Sequence, residues 1–171
     1  MKAHTFTAPD GSVKALVSEY AGVGTVPSDS IYVFDAENLS DPIANTANWL
    51  GRNMYGAASH GNYLYTAYYS RYDPTAGDSG GDVSGIVVKT EIDNYNAAPV
   101  ASYEFAPTHD AVYRKSVKLM IHGDKVYVLN RPYGGAAHSG AALSYEAGDI
   151  WEFDLALNFL RKIEVGVAPY D

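Results

Sequence analysis

The strongest constraint in this sequence is that it repeats itself. Arg52-Asn-Met-Tyr-Gly-Ala-Ala-Ser-His60-Gly61-Asn-Tyr-Leu-Tyr65 lies without a gap over Arg114-Lys-Ser-Val-Lys-Leu-Met-Ile-His122-Gly123-Asp-Lys-Val-Tyr127, with Arg, His, Gly and Tyr matched 62 residues apart. A second block follows each copy: Gly85-Ile-Val-Val-Lys89 and Asp149-Ile-Trp-Glu-Phe-Asp154. Both resemble Ser30-Ile-Tyr-Val-Phe-Asp35, with leading isoleucines at positions 31, 86 and 150. After each block comes a turn marked by proline or leucine, at Asp41-Pro42-Ile43, Ala98-Pro99-Val100 and Leu157-Asn158-Phe159. Self-similarity at such a period describes units that cannot bury an apolar face alone and therefore stack on their neighbours.

The units read as strands. Helical periodicity is almost absent, whereas short runs rich in Tyr, Val, Ile and Thr alternate with Gly, Asp, Asn and Pro clusters, an all-β pattern. The clearest strands are 13–20, 31–35, 63–69, 86–92, 100–105, 117–121, 125–130, 150–154 and 160–165. The 15 tyrosines sit mainly in or beside these runs, where the ring buries against a neighbouring sheet and the hydroxyl keeps a polar partner. With 171 residues, 47% of them hydrophobic and none of them cysteine, a core that buries about 70% of the unfolded surface is feasible without disulfides.

Charge narrows the partners. The net charge of −8 is carried by residues 1–51 (2 basic, 6 acidic) and 52–113 (3 basic, 7 acidic), while residues 114–171 hold 7 of each. No third is basic, which argues against binding a phosphate backbone. No run approaches the length of a membrane helix, and the start MKAHTFTAPDG lacks the apolar stretch of a secretory signal. The absence of cysteine fits any compartment; an extracytoplasmic or cell-surface setting is the expectation.

Four short antiparallel strands in each repeat resemble the blades of a β-propeller, in the broad group of the NHL-repeat, YVTN-type and quinoprotein-like families. The resemblance implies one all-β repeat domain over residues 1–171, with blades at about 3–50, 52–107 and 114–166. Three blades are fewer than the four to eight that close a propeller. The expectation is therefore an arc completed by further blades of a longer chain, or by a second copy in a six-bladed ring. A β-sandwich with a duplicated hairpin is the alternative.

Several motifs carry chemical possibilities. Gly77-Asp-Ser79-Gly-Gly81 looks like the nucleophile signature of chymotrypsin-type proteases, but a triad is a matter of geometry. Only His4 and His60 lie upstream, so the segment reads as a loop and no catalytic residue is assigned. Asp73, Asp78 and Asp82 in the same loop offer hard oxygen ligands for calcium, although their spacing is not that of an EF-hand; no other cofactor is expected. His60 and His122 read as turn residues rather than metal ligands.

The loop face is the richer candidate. Arg52 and Arg114 begin equivalent strands, and Arg71, Tyr72, Arg131, Tyr133 and His138 lie in or beside the long connections that open at the same end. Arginine forks suit carboxylates and tyrosine supplies rigid contact area, which points to a small anionic or sugar-like ligand or a protein partner. The competing role for Arg52 and Arg114 is an ion pair with an acid of a neighbouring blade. The expected function is a non-catalytic module that binds through this face. The alternative is a propeller enzyme, lactonase-like or quinoprotein-like, whose site missing blades complete.

Overall fold

The computed structural model describes residues 2–18, 31–46, 51–71, 84–105, 112–134 and 147–167. These residues form twelve strands: β1 (Lys2–Thr7), β2 (Val13–Ser18), β3 (Ile31–Asp35), β4 (Ala44–Thr46), β5 (Gly51–His60), β6 (Tyr63–Arg71), β7 (Ile86–Glu91), β8 (Ala101–Glu104), β9 (Val112–His122), β10 (Lys125–Gly134), β11 (Ala147–Asp154) and β12 (Phe159–Val167). They build three four-stranded sheets in sequence order, β1-β2-β3-β4, β5-β6-β7-β8 and β9-β10-β11-β12, with antiparallel neighbours throughout. The first strands of the sheets lie side by side, β5 against both β1 and β9. Sheet 2 is thus sandwiched between sheets 1 and 3, a three-layer row rather than the two-sheet sandwich.

The His-Gly turns do what their sequence implies. Gly61 and Gly123 take φ of 56° and 59°, the left-handed conformation that a two-residue hairpin with a leading glycine requires. A second repeated feature escaped the sequence reading. The inner strand carries a bulge at Tyr55 in sheet 2 and at Val117 in sheet 3, again 62 residues apart. A bulge bends the strand and re-aims the side chains beyond it.

Sheet 2 buries both faces, and period-two alternation sorts its residues. Leu64, Tyr68, Ile86 and Val88 join Phe6, Leu16, Ile31 and Val33 of sheet 1 in one core. Tyr65, Ala67, Val87 and Phe105 join Leu119, Val126, Val128, Trp151 and Phe153 of sheet 3 in the other. The second core is sealed at its edge by the Tyr65 hydroxyl and the Lys89 ammonium, which both donate to the Leu155 carbonyl at 2.8 Å. Burial pushes the Tyr65 hydroxyl up to about 12, so it remains a donor at any physiological pH.

Burial on both faces also corrects the repeat. The ladders pair Ile86 with Tyr68 and Asp149 with Asn130, so the third strands align Ile86 with Asp149, one residue from the Ile86/Ile150 match. Ile-Val-Val is apolar on both sides of the strand and carries no phase by which to choose a register.

Gly85 marks the closest approach of sheets 2 and 3. Its N–H donates to the Arg114 carbonyl at 2.6 Å, and a Cβ there would stand 2.7 Å from Ser116 Oγ and 2.8 Å from both Ser116 N and Tyr68 O. Two of these neighbours are backbone and cannot rotate away. Gly85→Ala is expected to lower stability by about 1–3 kcal/mol, the usual range for overpacking, as measured by urea denaturation against the parent chain.

Candidate functional site

The ends of the sheets at which β5 and β9 begin and β6 and β10 finish hold the described part of the predicted binding face. Arg131, on β10, donates from Nη2 to the Tyr69 hydroxyl on β6 at 2.9 Å, with its guanidinium carbon 5.3 Å from the Tyr69 ring centroid. Lys115 lies directly opposite Arg131 in the β9–β10 ladder, and its ammonium stands 5.1 Å from the same ring. The bulge residue Tyr55 adds a second ring, 5.5 Å from Tyr69 and tilted by 34°. Lys115 is fully enclosed, whereas Arg131, Tyr55 and Tyr69 are half-buried. Tyr69 and Arg131 occupy equivalent positions in consecutive repeats, 62 residues apart, so the contact spans the joint between two sheets.

Arg114 has a different setting. Its Nη1 donates to the Ala147 carbonyl at 3.0 Å, and its Nε lies 3.5 Å from Asp149 Oδ2. Asp149 Oδ1 accepts the Trp151 indole N–H at 2.6 Å. Both charged residues are buried. Burial raises the Asp149 pKa above its ordinary value, with the Arg114 charge and the indole hydrogen bond pulling it back. Among the described residues, Arg114 is thus held in an ion pair with Asp149 inside its own sheet. The adjacent Asn130 amide and the Ser116 and Ser84 hydroxyls are buried with no hydrogen-bonding partner among the described residues.

Of the other predicted residues, only the side chain of Arg71 lies among the described residues. Arg71 reaches Glu104 across its own sheet, Nε to Oε1 at 3.1 Å, on a partly exposed rim. Arg52 stands opposite Ser70 in the β5–β6 ladder and Tyr133 opposite Tyr113 in β9–β10; their side chains lie outside the described residues. Tyr72 and His138 also lie outside them, as do Asp73, Asp78 and Asp82 of the calcium expectation and Ser79. Among the described residues no cluster of three or more His, Asp or Glu could hold a metal ion. His60 and His122 are exposed turn residues at the opposite end, where a cavity of about 260 Å³ opens between Asn62, Tyr63, Glu91, Ile92 and Asp93.

Sequence reasoning missed Lys115, Tyr55 and Asp149. Lys115 has Asn53 at its repeat position, so similarity did not mark it. Tyr55 looked like an ordinary strand residue until the bulge turned it. The usable signal for Asp149 was a carboxylate at the head of a buried strand with an arginine beginning the same repeat.

No family model and no curated protein matches the chain. Solved structures do. A neuraminidase-like protein from A/bat/Guatemala/164/2009 is similar over 96% of this chain and 40% of its own, at 11% identity with a TM-score of 0.54. The α-L-arabinanase of Penicillium chrysogenum, complexed with arabinobiose, is similar over 99% of this chain and 50% of its own, at 13% identity with a TM-score of 0.57. The chain thus spans half or less of the length of these structures. Both are six-bladed β-propellers, and the three antiparallel four-stranded sheets of this chain have the fold of a partial propeller.

Proposed function

We propose that the chain is a non-catalytic propeller module that binds an anionic, sugar-like ligand at the loop ends of sheets 2 and 3. One observation carries this reading: two cations, Lys115 and Arg131, face each other across a ladder and share the Tyr69 ring. A carboxylate arriving beside them gains from both, and the enclosed position of Lys115 keeps its field from being screened. The Arg131 fork presents the geometry for a carboxylate, while Tyr55 and Tyr69 supply flat area for a sugar ring. The arabinobiose in the arabinanase complex shows that a propeller of this kind can hold a small sugar.

The test is calorimetric titration of the whole chain with glucuronate and, in parallel, glucose. Glucuronate is expected to bind and glucose to bind far more weakly. Arg131→Ala is expected to weaken glucuronate binding about tenfold or more, the loss of a charged hydrogen bond worth about 1.5–3 kcal/mol, with little change in Tm. Equal affinity for the two sugars, or an Arg131→Ala variant that binds like the parent, sinks the reading. A second reading, a propeller hydrolase whose site further blades complete, is favoured by the arabinanase likeness. Release of arabinose from arabinobiose would decide for it.

A further inference from the structure

The repeat allows each face of one sheet to be read on the next. Opposite one another in the middle of sheets 1, 2 and 3 stand Leu16 and Val33, Tyr65 and Lys89, and Tyr127 and Glu152. One row further stand Ser18 and Ile31, Ala67 and Val87, and Leu129 and Ile150. In sheets 1 and 2 this face is covered by the following sheet: Leu16, Ile31, Val33, Ala67 and Val87 are 0% exposed. In sheet 3 it is open. Tyr127, Leu129 and Ile150 are only half-buried, flanked by Met120 and Ile163, which are 54% and 37% exposed.

The opposite faces show the complementary pattern. Val126, Val128, Trp151 and Phe153 of sheet 3 are buried against sheet 2, and Leu64, Thr66, Val88 and Thr90 of sheet 2 against sheet 1. The equivalents in sheet 1 are Ala15, Val17, Tyr32 and Phe34, all half-buried. Tyr32 and Phe34, with ring centroids 6.3 Å apart, stand where Trp151 and Phe153 anchor the joint of sheets 2 and 3.

We propose that the open face of sheet 3 docks on the open face of sheet 1 of a second copy of this chain, so that two chains close a six-bladed ring. The occupant is a second copy because both halves of the missing joint are on this chain, and each is the repeat equivalent of a surface that is buried within it. The one acid in the middle of the sheet 3 face is already neutralised, since Glu152 accepts from Lys125 and Arg161 at 2.6 Å each. The internal joint also supplies the pattern for an edge contact. Asp35 and Asp154 open equivalent turns, so Ala36 corresponds to Leu155, and the Tyr127 hydroxyl, in the place of Tyr65, donates to the Ala36 carbonyl of the second copy. The inference is independent of which ligand the loop face binds.

Sedimentation equilibrium of the whole chain tests it, together with two variants charged at exposed or half-buried positions so that the internal cores remain intact. Met120→Glu with Ile163→Glu spoils the sheet 3 face; Thr5→Glu with Tyr32→Glu spoils the sheet 1 face. Circular dichroism and the thermal transition verify that each variant folds. The parent is expected at twice the 18.4 kDa chain mass and each variant alone at the single-chain mass. An equimolar mixture is expected to regain dimer, because one unspoiled joint survives between unlike chains. A parent that stays monomeric at tens of micromolar, a folded variant that remains dimeric, a mixture that stays monomeric, or assembly that grows past the dimer overturns the proposal. Glucuronate titration of the same samples shows separately whether the loop face binds.

Discussion

Phe153→Ala is expected to lower the stability of the chain by about 3–5 kcal/mol, the range for truncating a fully enclosed phenylalanine. Phe153 is 0% exposed and lies on β11 opposite Val126, at the centre of the joint between sheets 2 and 3. Its ring packs 5.0 Å from Tyr103, 6.0 Å from Phe159 and 6.1 Å from Phe105. Those partners come from two sheets and are held by their ladders, so they cannot collapse into the space that the ring leaves, and the cavity adds to the lost transfer energy. For a chain of this size each kcal/mol shifts Tm by about 2–4 °C, so a calorimetric scan should show a fall of about 10 °C. Phe159→Ala is the control. It removes a ring of the same cluster that is 43% exposed, and its cost should stay near 1 kcal/mol, since only part of the transfer term of about 1.5–3 kcal/mol is engaged. If the two variants melt alike, the aromatic cluster is not the joint that fixes sheet 3 on sheet 2.

The same joint explains what was legible in the sequence. The His-Gly turns and the Tyr65/Tyr127 match set the second strand of the second and third sheets, because a hairpin turn and an alternating strand leave local marks. Ile31–Asp35 was read to the residue because sheet 1 has one covered and one open face, and IYVFD alternates accordingly. The third strand of sheet 2 slipped by one because both faces are covered and the alternation vanishes. The inner strands β1 and β5 left little trace for a related reason. Gly56, Ala57 and Ala58 of β5 are small where the neighbouring sheets come close: a Cβ on Gly56 would stand 2.5 Å from the Leu119 backbone nitrogen, so the strand gives up the bulky residues by which strands are recognised.

The site was legible in outline only. Arg131 was placed at the loop end of the sheets by the repeat. Lys115 was not, since its value comes from lying opposite Arg131 in a ladder whose register depends on the bulge at Val117. Register is a property of two strands together, and no single stretch of sequence carries it.

Arg114→Ala is expected to cost about 3–5 kcal/mol at neutral pH, because removing one partner of a buried ion pair leaves the other charge uncompensated. The distinguishing mark is the pH dependence. Burial already raises the Asp149 pKa above its ordinary 3.8, so the native state holds that proton more tightly than the unfolded chain. Stability then falls as pH rises from the unfolded value through the raised native one, and is level above it. Arg114 is the largest influence pulling that pKa down; without it the native value climbs, and the falling window extends to higher pH. The variant should therefore be most destabilised near neutrality and approach the parent as the pH is lowered toward the ordinary carboxyl value of 3.8, because protonation of Asp149 removes the uncompensated charge. Arg114→Met combined with Asp149→Asn removes both charges and should recover much of the loss while flattening the pH dependence, as replacement of a buried pair by neutral groups generally does. Urea denaturation across pH 4 to 8 measures all three. A variant with parental stability and abolished glucuronate binding would return Arg114 to the loop face. A loss of stability that follows the Asp149 titration assigns it to the ion pair in the interior of the third sheet.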